Sequence, residues 1–225
     1  MAPSFLAWGT VTVLVQAWEY ALRYQETFWR NAAIHAELSL LAVAAAAALG
    51  ISIGILLTRY RRAAFIALNV AALGRTIPSL AILSMLLPIL GIGFRPAVVA
   101  LTLIAIPPIL INTYVGVTEV DPDAVEAARG MGMGTWELLR KIELPLVVPV
   151  VFAGLRTSAV QVVASATLAT FIGGGGMGDF IQAGIALNDV PQLLVGAVPV
   201  AAGAVGIDWA LGAVERVLTP HGLRA

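Results

Sequence analysis

Residues 38–57 read LSLLAVAAAAALGISIGILL, with Ser39 and Ser52 as the sole side-chain polar groups. A helix needs about 20 mostly apolar residues to cross the hydrocarbon of a bilayer, and this stretch meets that length. Arg59-Tyr60-Arg61-Arg62 follows at once and closes the run with a basic knot. Working outward, a second run covers 63–90 and is interrupted by Asn69, Gly74-Arg75, Pro78 and Pro88. Proline removes a backbone donor and crowds the preceding turn, so a bent helix is expected there. Gly91-Ile92-Gly93-Phe94-Arg95-Pro96 makes a tight turn into a third run at 97–117, which carries Pro107-Pro108. A fourth run spans 147–172 with Arg156 and Gln161 inside it. A fifth spans 193–211, approached through Asp189-Val190-Pro191. Upstream, 5–17 is apolar but short, and 18–30 mixes aromatic with charged residues. Trp and Tyr gather at membrane interfaces, so residues 1–34 form either a helix lying in the interface or a sixth span.

Composition points the same way. Of the 225 residues, 60% are hydrophobic and 12% charged, whereas a soluble domain is closer to half apolar and a quarter charged. A soluble core for that surplus would exceed what this length can build, and lipid is the solvent that fits. The expected fold is all-α and polytopic, with five core transmembrane helices and a sixth if the N-terminal segment crosses. Basic and acidic residues balance at 13 each, so no basic face points to nucleic acid. Cysteine is absent, which excludes a disulfide framework and cysteine-ligated metal. Basic residues in short loops mark the cytoplasmic side. Placing the 59–62 knot, the 119–143 stretch and the C-terminal tail together gathers Arg59, Arg61, Arg62, Arg129, Arg140, Lys141, Arg216 and Arg224 there. The other side keeps Arg95, with Arg23 and Arg30 if the N-terminal segment lies there.

The long charged loop, 119–145, reads EVDPDAVEAARGMGMGTWELLRKIELP. Asp121-Pro122 is a helix start: an N-cap acceptor, then proline where no donor is lost. Asp123 and Glu126 complement the helix dipole, and Glu126 and Arg129 are spaced to pair. Gly130, Gly132 and Gly134 end that helix, since glycine permits the positive φ of a sharp turn. Thr135 can cap a second short helix over 136–142, and Pro145 opens the next span. A helix, a turn and a helix standing in the cytoplasm cannot bury much of their own surface. The small face Ala127-Ala128, near Val125 and Met131, suits docking into a partner's groove; a plain solvated loop is the alternative.

Glu126-Ala127-Ala128, Gly132, Ile142, Leu144 and Pro145 resemble, at every defined position, the EAA motif E-A-A-x3-G-x9-I-x-L-P. That motif marks the membrane subunits of binding-protein-dependent ABC importers of type I. The resemblance implies that this segment is a coupling helix seated in a cleft of a nucleotide-binding subunit, with the glutamate and glycine at the joint. It covers roughly residues 38–220 and implies a permease domain at 35–218, its coupling helix at about 119–135, and a cytoplasmic tail at 219–225. Implied partners are ATPase subunits, an external substrate-binding protein and a second permease, identical or paralogous, in a bacterial inner or plasma membrane. No G-x4-G-K-[ST] occurs in this chain, so ATP and Mg belong to the partner and no cofactor or metal is assigned here.

Other segments resemble the branch that carries osmoprotectants such as glycine betaine, choline, carnitine or proline betaine. They are Thr76-Ile77-Pro78-Ser79-Leu80-Ala81-Ile82, Gly154-Leu155-Arg156-Thr157-Ser158, the stretch 166–179 and Thr219-Pro220-His221-Gly222-Leu223. Methionine permeases share the glycine run and an equivalent of Gly74-Arg75-x-Ile77-Pro78, and stand as the second candidate. No quaternary-ammonium cage is legible, because cages need several aromatic faces and the last two spans offer Phe152, Phe171 and Trp209.

Path and gate candidates follow from the cost of charge in hydrocarbon, several kcal/mol unless protein or water covers it. Arg75 and Arg156 are therefore candidates for the path or a permease interface, with snorkelling as the plainer reading. Asp208 is expected at the cytoplasmic interface. Asn69, Pro78, Gln161 and Ser165 are polar or kinking positions that either line the path or glue helices. The run GGGGMG at 173–178, with Gly174, Gly175 and Gly176 at its centre, is either an external turn or a re-entrant segment near the gate. Gly196, Gly203 and Gly206 mark close packing. An intramembrane hydrolase fails because Ser158 and Ser165 have no histidine base nearer in sequence than His35 or His221. A self-sufficient channel would leave the EAA motif without a purpose.

Overall fold

The computed structural model describes residues 10–219. The start of the 5–17 run and the tail with His221 and Arg224 lie outside them. The described residues form helices joined by short turns, with no strand among them. The 38–57 run sits inside a longer helix, α2 (Gln25–Leu57), whose 33 residues rise about 50 Å. It follows α1 (Thr10–Arg23) with a break only at Tyr24. The described 14 residues of α1 reach about 21 Å, too short by themselves to cross a bilayer.

α3 (Arg61–Gly74) and α4 (Ser79–Leu90) form the expected bent pair, turned by 105° at their break. The residue before a proline is driven out of the helical region, and Pro78 itself sits at ψ 135°, extended, before α4 restarts. α5 (Phe94–Thr118) is the centre of the bundle, with Ala97, Ala100, Leu101, Ile104, Ala105 and Ile109 in the main core. α2 meets it with Ala42, Ala46, Gly50 and Gly54, all buried. A spacing of four keeps these on one face. A Cβ at Gly50 would stand 3.0 Å from Ile109 Cβ, and one at Gly54 only 2.8 Å from Thr113 Cβ. Small residues thus let two backbones approach, which is how helices associate in lipid.

After α6 (Pro122–Gly130) and α7 (Thr135–Leu138), the chain passes through a π turn at Leu139–Glu143 into α8 (Leu144–Ser165). A 3-10 helix (Ala166–Ile172), the glycine run, α9 (Gly178–Leu187) and α10 (Val190–Leu218) complete the order. α2, α5, the rod Thr135–Ile172 and α10 are each long and apolar enough to cross a membrane, and the bent pair makes up to five.

Three expectations change. The span expected at 147–172 begins twelve residues earlier as a helical rod, because the π turn carries it through Pro145. α9 was not foreseen, since its apolar residues merge into the neighbouring run. The last span, expected at 193–211, runs Val190–Leu218 with Asp189 as its cap, Oδ1 accepting from Gln192 N at 3.1 Å. Gly196 does mark close packing, 2.7 Å from Met177 O for an added Cβ, but Gly206 faces open space and Gly203 only grazes Val163.

Candidate functional site

The first site is the loop that carries the EAA motif. Asp121 Oδ1 accepts from Asp123 N at 2.9 Å and Pro122 takes the first helical turn, so α6 starts as its sequence dictates. Its end is set by Gly132 at φ +84°, with Met131 N bonding Ala127 O and Met133 N bonding Ala128 O. Gly130 and Gly134 have no positive φ. Glu126 and Ala127 are exposed, whereas Ala128 is buried beneath α6, which packs on α7 and the π turn. The small face is therefore split: one alanine fastens α6 to its own chain and the other stays free. Glu126 and Arg129 form no ion pair among the described residues. Both instead line an open groove of about 540 Å³ with Val117, Pro122 and Val125. Met131 and Trp136 project outward, 70% and 71% exposed.

Thr135 makes no cap; Gly134 holds that position and Thr135 is already helical. Pro145 stands in the first turn of α8, as expected, but the helix before it runs on through the π turn without a gap. Leu144 N reaches back five residues to Leu139 O, one residue before the proline that cannot donate. A proline inside an α-helix leaves the carbonyl four residues back unpaired, and the wider turn absorbs that defect. Ile142, Leu144 and Pro145 are all half-buried at this turn, so the second half of the motif seats the rod.

The second site is a polar face between α8 and α10. Arg156 Nε and Nη2 bond Asp208 Oδ1 and Oδ2 at 2.8 and 3.0 Å, and Nη1 reaches Glu215 Oε2 at 3.3 Å. Asp208 lies ten residues before the end of α10, about 15 Å along the helix, and Arg156 is the partner that balances its charge there. Gln161 shares an open groove of about 510 Å³ with Arg156, Thr157 and Asp208. Opposite charges on adjacent spans were a usable signal for this pair, since a lone intramembrane charge demands a partner. Glu215, one heptad beyond Asp208, was the residue missed.

The remaining candidates separate. Arg75 and Pro78 are exposed at the α3–α4 break. Ser165 is buried at the end of α8, its Oγ 3.3 Å from that of Ser79, so it ties this break to α8. Asn69 only bonds Phe65 O in its own helix. The glycine run is a packed turn. Gly174 and Gly176 are buried, Gly173, Gly175 and Gly176 have φ of +72°, +73° and +101°, and Gly176 rests on His35. His35 Nε2 lies 3.1 Å from Val163 O, Asn31 bonds Asp179, and Thr170 makes a short bond to Asp179. Gly93 N bonds Ile172 O at 2.7 Å. α2, the α4–α5 turn, the 3-10 helix and α9 are thus held as one cap. This network escaped the sequence because its members lie far apart in the chain.

A bent span, a buried central helix and an exposed helical turn between two spans define a polytopic membrane protein of the transport-permease class. The chain belongs to the family described as binding-protein-dependent transport system inner membrane component, which matches residues 46–219. It is 42% identical over 190 residues to the glycine betaine/carnitine/choline transport system permease protein OpuCB of Bacillus subtilis, covering 84% of this chain and 88% of that one. The carnitine transport permease protein OpuCB of Listeria monocytogenes is 45% identical over 190 residues, covering 84% and 87%. The osmoprotectant import permease protein OsmW of Salmonella typhimurium is 37% identical over 195 residues, covering 84% and 91%. In fold the chain is similar to the inward-facing MetNI methionine ABC transporter, with TM-score 0.74 at 21% identity, covering 87% of this chain and 98% of that one. The protein is a transport subunit of the inner membrane.

Proposed function

We propose that this chain forms half of the membrane path of an ATP-driven importer for small quaternary-ammonium osmolytes, such as glycine betaine, choline or carnitine. The observation that carries the coupling is the free α6–α7 turn. It offers Glu126, Ala127 and Met131 to a partner, and its second helix, α7, continues without a break into a membrane span. A separate ATPase takes this element in a cleft, and closure of two ATPase subunits moves the rods of two permease copies or paralogues. An external binding protein delivers the substrate, and alternating access passes it inward. Arg156 and Gln161 line the path or the permease interface, because half-exposed polar groups within an apolar span require protein or water rather than lipid. Arg75 and Pro78 stand at the α3–α4 break, to which Ser165 of α8 is tied, and Gly174, Gly175 and Gly176 belong to the cap beside it. The substrate class rests on the relatives named above.

The test is uptake of radiolabelled glycine betaine, choline, carnitine and methionine in cells carrying the complete set of transporter subunits, with and without this chain. Chain-dependent uptake of the quaternary amines supports the proposal. Uptake of methionine alone overturns the substrate class, and uptake that persists without the ATPase overturns the importer.

A further inference from the structure

α10 is attached to the rest of the molecule very unevenly. Its buried residues are Gln192, Val195 and Gly196, all in its first two turns. There it packs so closely on α9 that a Cβ at Gly184 would meet Leu193 N at 2.5 Å. Pro199 follows inside the helix and removes one of the backbone bonds that keep a helix straight. Beyond it no residue up to Leu218 is buried, and glycines stand at 203, 206 and 212. Among the described residues, the side-chain hydrogen bonds that join this half of α10 to another helix all come from Arg156. Asp208 and Glu215 are seven apart, two helical turns on one face. Gly212 between them leaves the guanidinium its seat, 3.4 Å from where a Cβ would be.

Arg156 in turn stands on the rod that begins at Thr135, beside the EAA turn. We propose that the cytoplasmic half of α10 is an arm hinged at Pro199, and that Arg156 is the positioning residue that makes the arm follow the coupling rod. Packing fixes the outer half of α10 to the cap, while its inner half lies against α8 with the fork of Arg156 as the polar tie between them. The mechanism uses a guanidinium because its planar donors hold Asp208 by two bonds and Glu215 by a third, a geometry lysine cannot reproduce. This inference rests on the importer reading only in naming ATP as the source of movement.

The chain has no cysteine, so spin labels can be placed by single substitutions. Labels go at Val217, 76% exposed on the arm, and at Thr118, exposed at the end of α5. The assay uses the complete permease–ATPase complex in nanodiscs, labelled chains diluted with unlabelled ones. A narrow distance that shifts on trapping with ATP and vanadate is expected for the unaltered arm. R156Q and D208N should broaden the distribution and abolish the shift, and R156K should restore it only in part. ATP hydrolysed per labelled choline imported should rise about fivefold or more in R156Q, in the usual range of coupling between sites. An unaltered distribution and shift in R156Q overturns the inference, as does an arm that stays still in the unaltered complex. Absence of quaternary-amine uptake by the unaltered complex sinks the osmolyte reading and leaves the distance result standing.

Discussion

Gly132 is a glycine for a reason that can be isolated from its surroundings. Its φ is +84° and an added Cβ would meet nothing within 4 Å, so a side chain there is opposed by backbone strain alone, about 1–2 kcal/mol. Gly130, two residues earlier, also has open space but no positive φ. Gly132→Asp should therefore abolish uptake with normal membrane levels, while Gly130→Ala should transport normally; equal behaviour of the two would remove the turn from the mechanism. Glu126→Lys reverses the charge on the exposed face of α6 and should also abolish uptake without loss of insertion, read by immunoblot of membranes beside uptake. Sequence spacing was enough to single out both positions. It could not say that Ala128 faces inward, because that depends on where α7 and the π turn lie.

Elements carry two further predictions. In the rod, the π turn before Pro145 inserts one extra residue, and an α-helix turns about 100° per residue. Pro145→Ala permits a regular register, which would rotate α7 and Trp136 relative to α8. Uptake should fall while thermal stability in detergent stays the same or rises; normal uptake would show that the orientation of α7 is immaterial. In the cap, an added Cβ at Gly178 would lie 2.0 Å from Thr167 O, whereas Gly206 meets nothing within 4 Å. Gly178→Ala should lower the melting temperature of the purified protein by several degrees, about the shift that 1–2 kcal/mol produces, and Gly206→Ala should not. The bend at Pro78 and the start of α6 were legible because proline and an N-cap act locally. α9 was not, since a ten-residue apolar helix beside a long apolar run has no boundary signal except its glycines.

For the whole molecule, the basic side and the opposite side make a map that labelling can check. Single cysteines at Trp136 or Tyr60 should react with a membrane-impermeant maleimide only in inside-out vesicles. Cysteines at Ile92 or Asn188 should react from the outside of intact cells. Reaction of all four from one face would overturn the orientation and, with it, the placement of α6 toward an ATPase. The same map explains the exposed apolar surface, with Leu40, Leu41, Leu49, Phe65, Ile66 and Val70 all open. In lipid such side chains are in a matching solvent, so they need no protein partner. The half-exposed Arg156 cluster does, and that difference separates faces that lipid can cover from the face it cannot.

The chain's class, its long apolar runs and the bend at Pro78 were legible in the sequence alone, and the same reading supplies the expected orientation and the coupling motif. Each depends on short-range physics: the length of an apolar run against a bilayer, the sidedness of basic loops, and residue types at fixed spacing within one turn. Tertiary structure alone decided what the intramembrane polar residues do. Arg156 finds Asp208 and Glu215 across 52 and 59 residues, and His35 finds Val163 across 128. A charge in hydrocarbon announces that it needs a partner, but the partner is chosen by which helices pack together and in what register. That choice is made by the small-residue faces of α2, α5 and α8 acting at once, which no single stretch of the chain encodes.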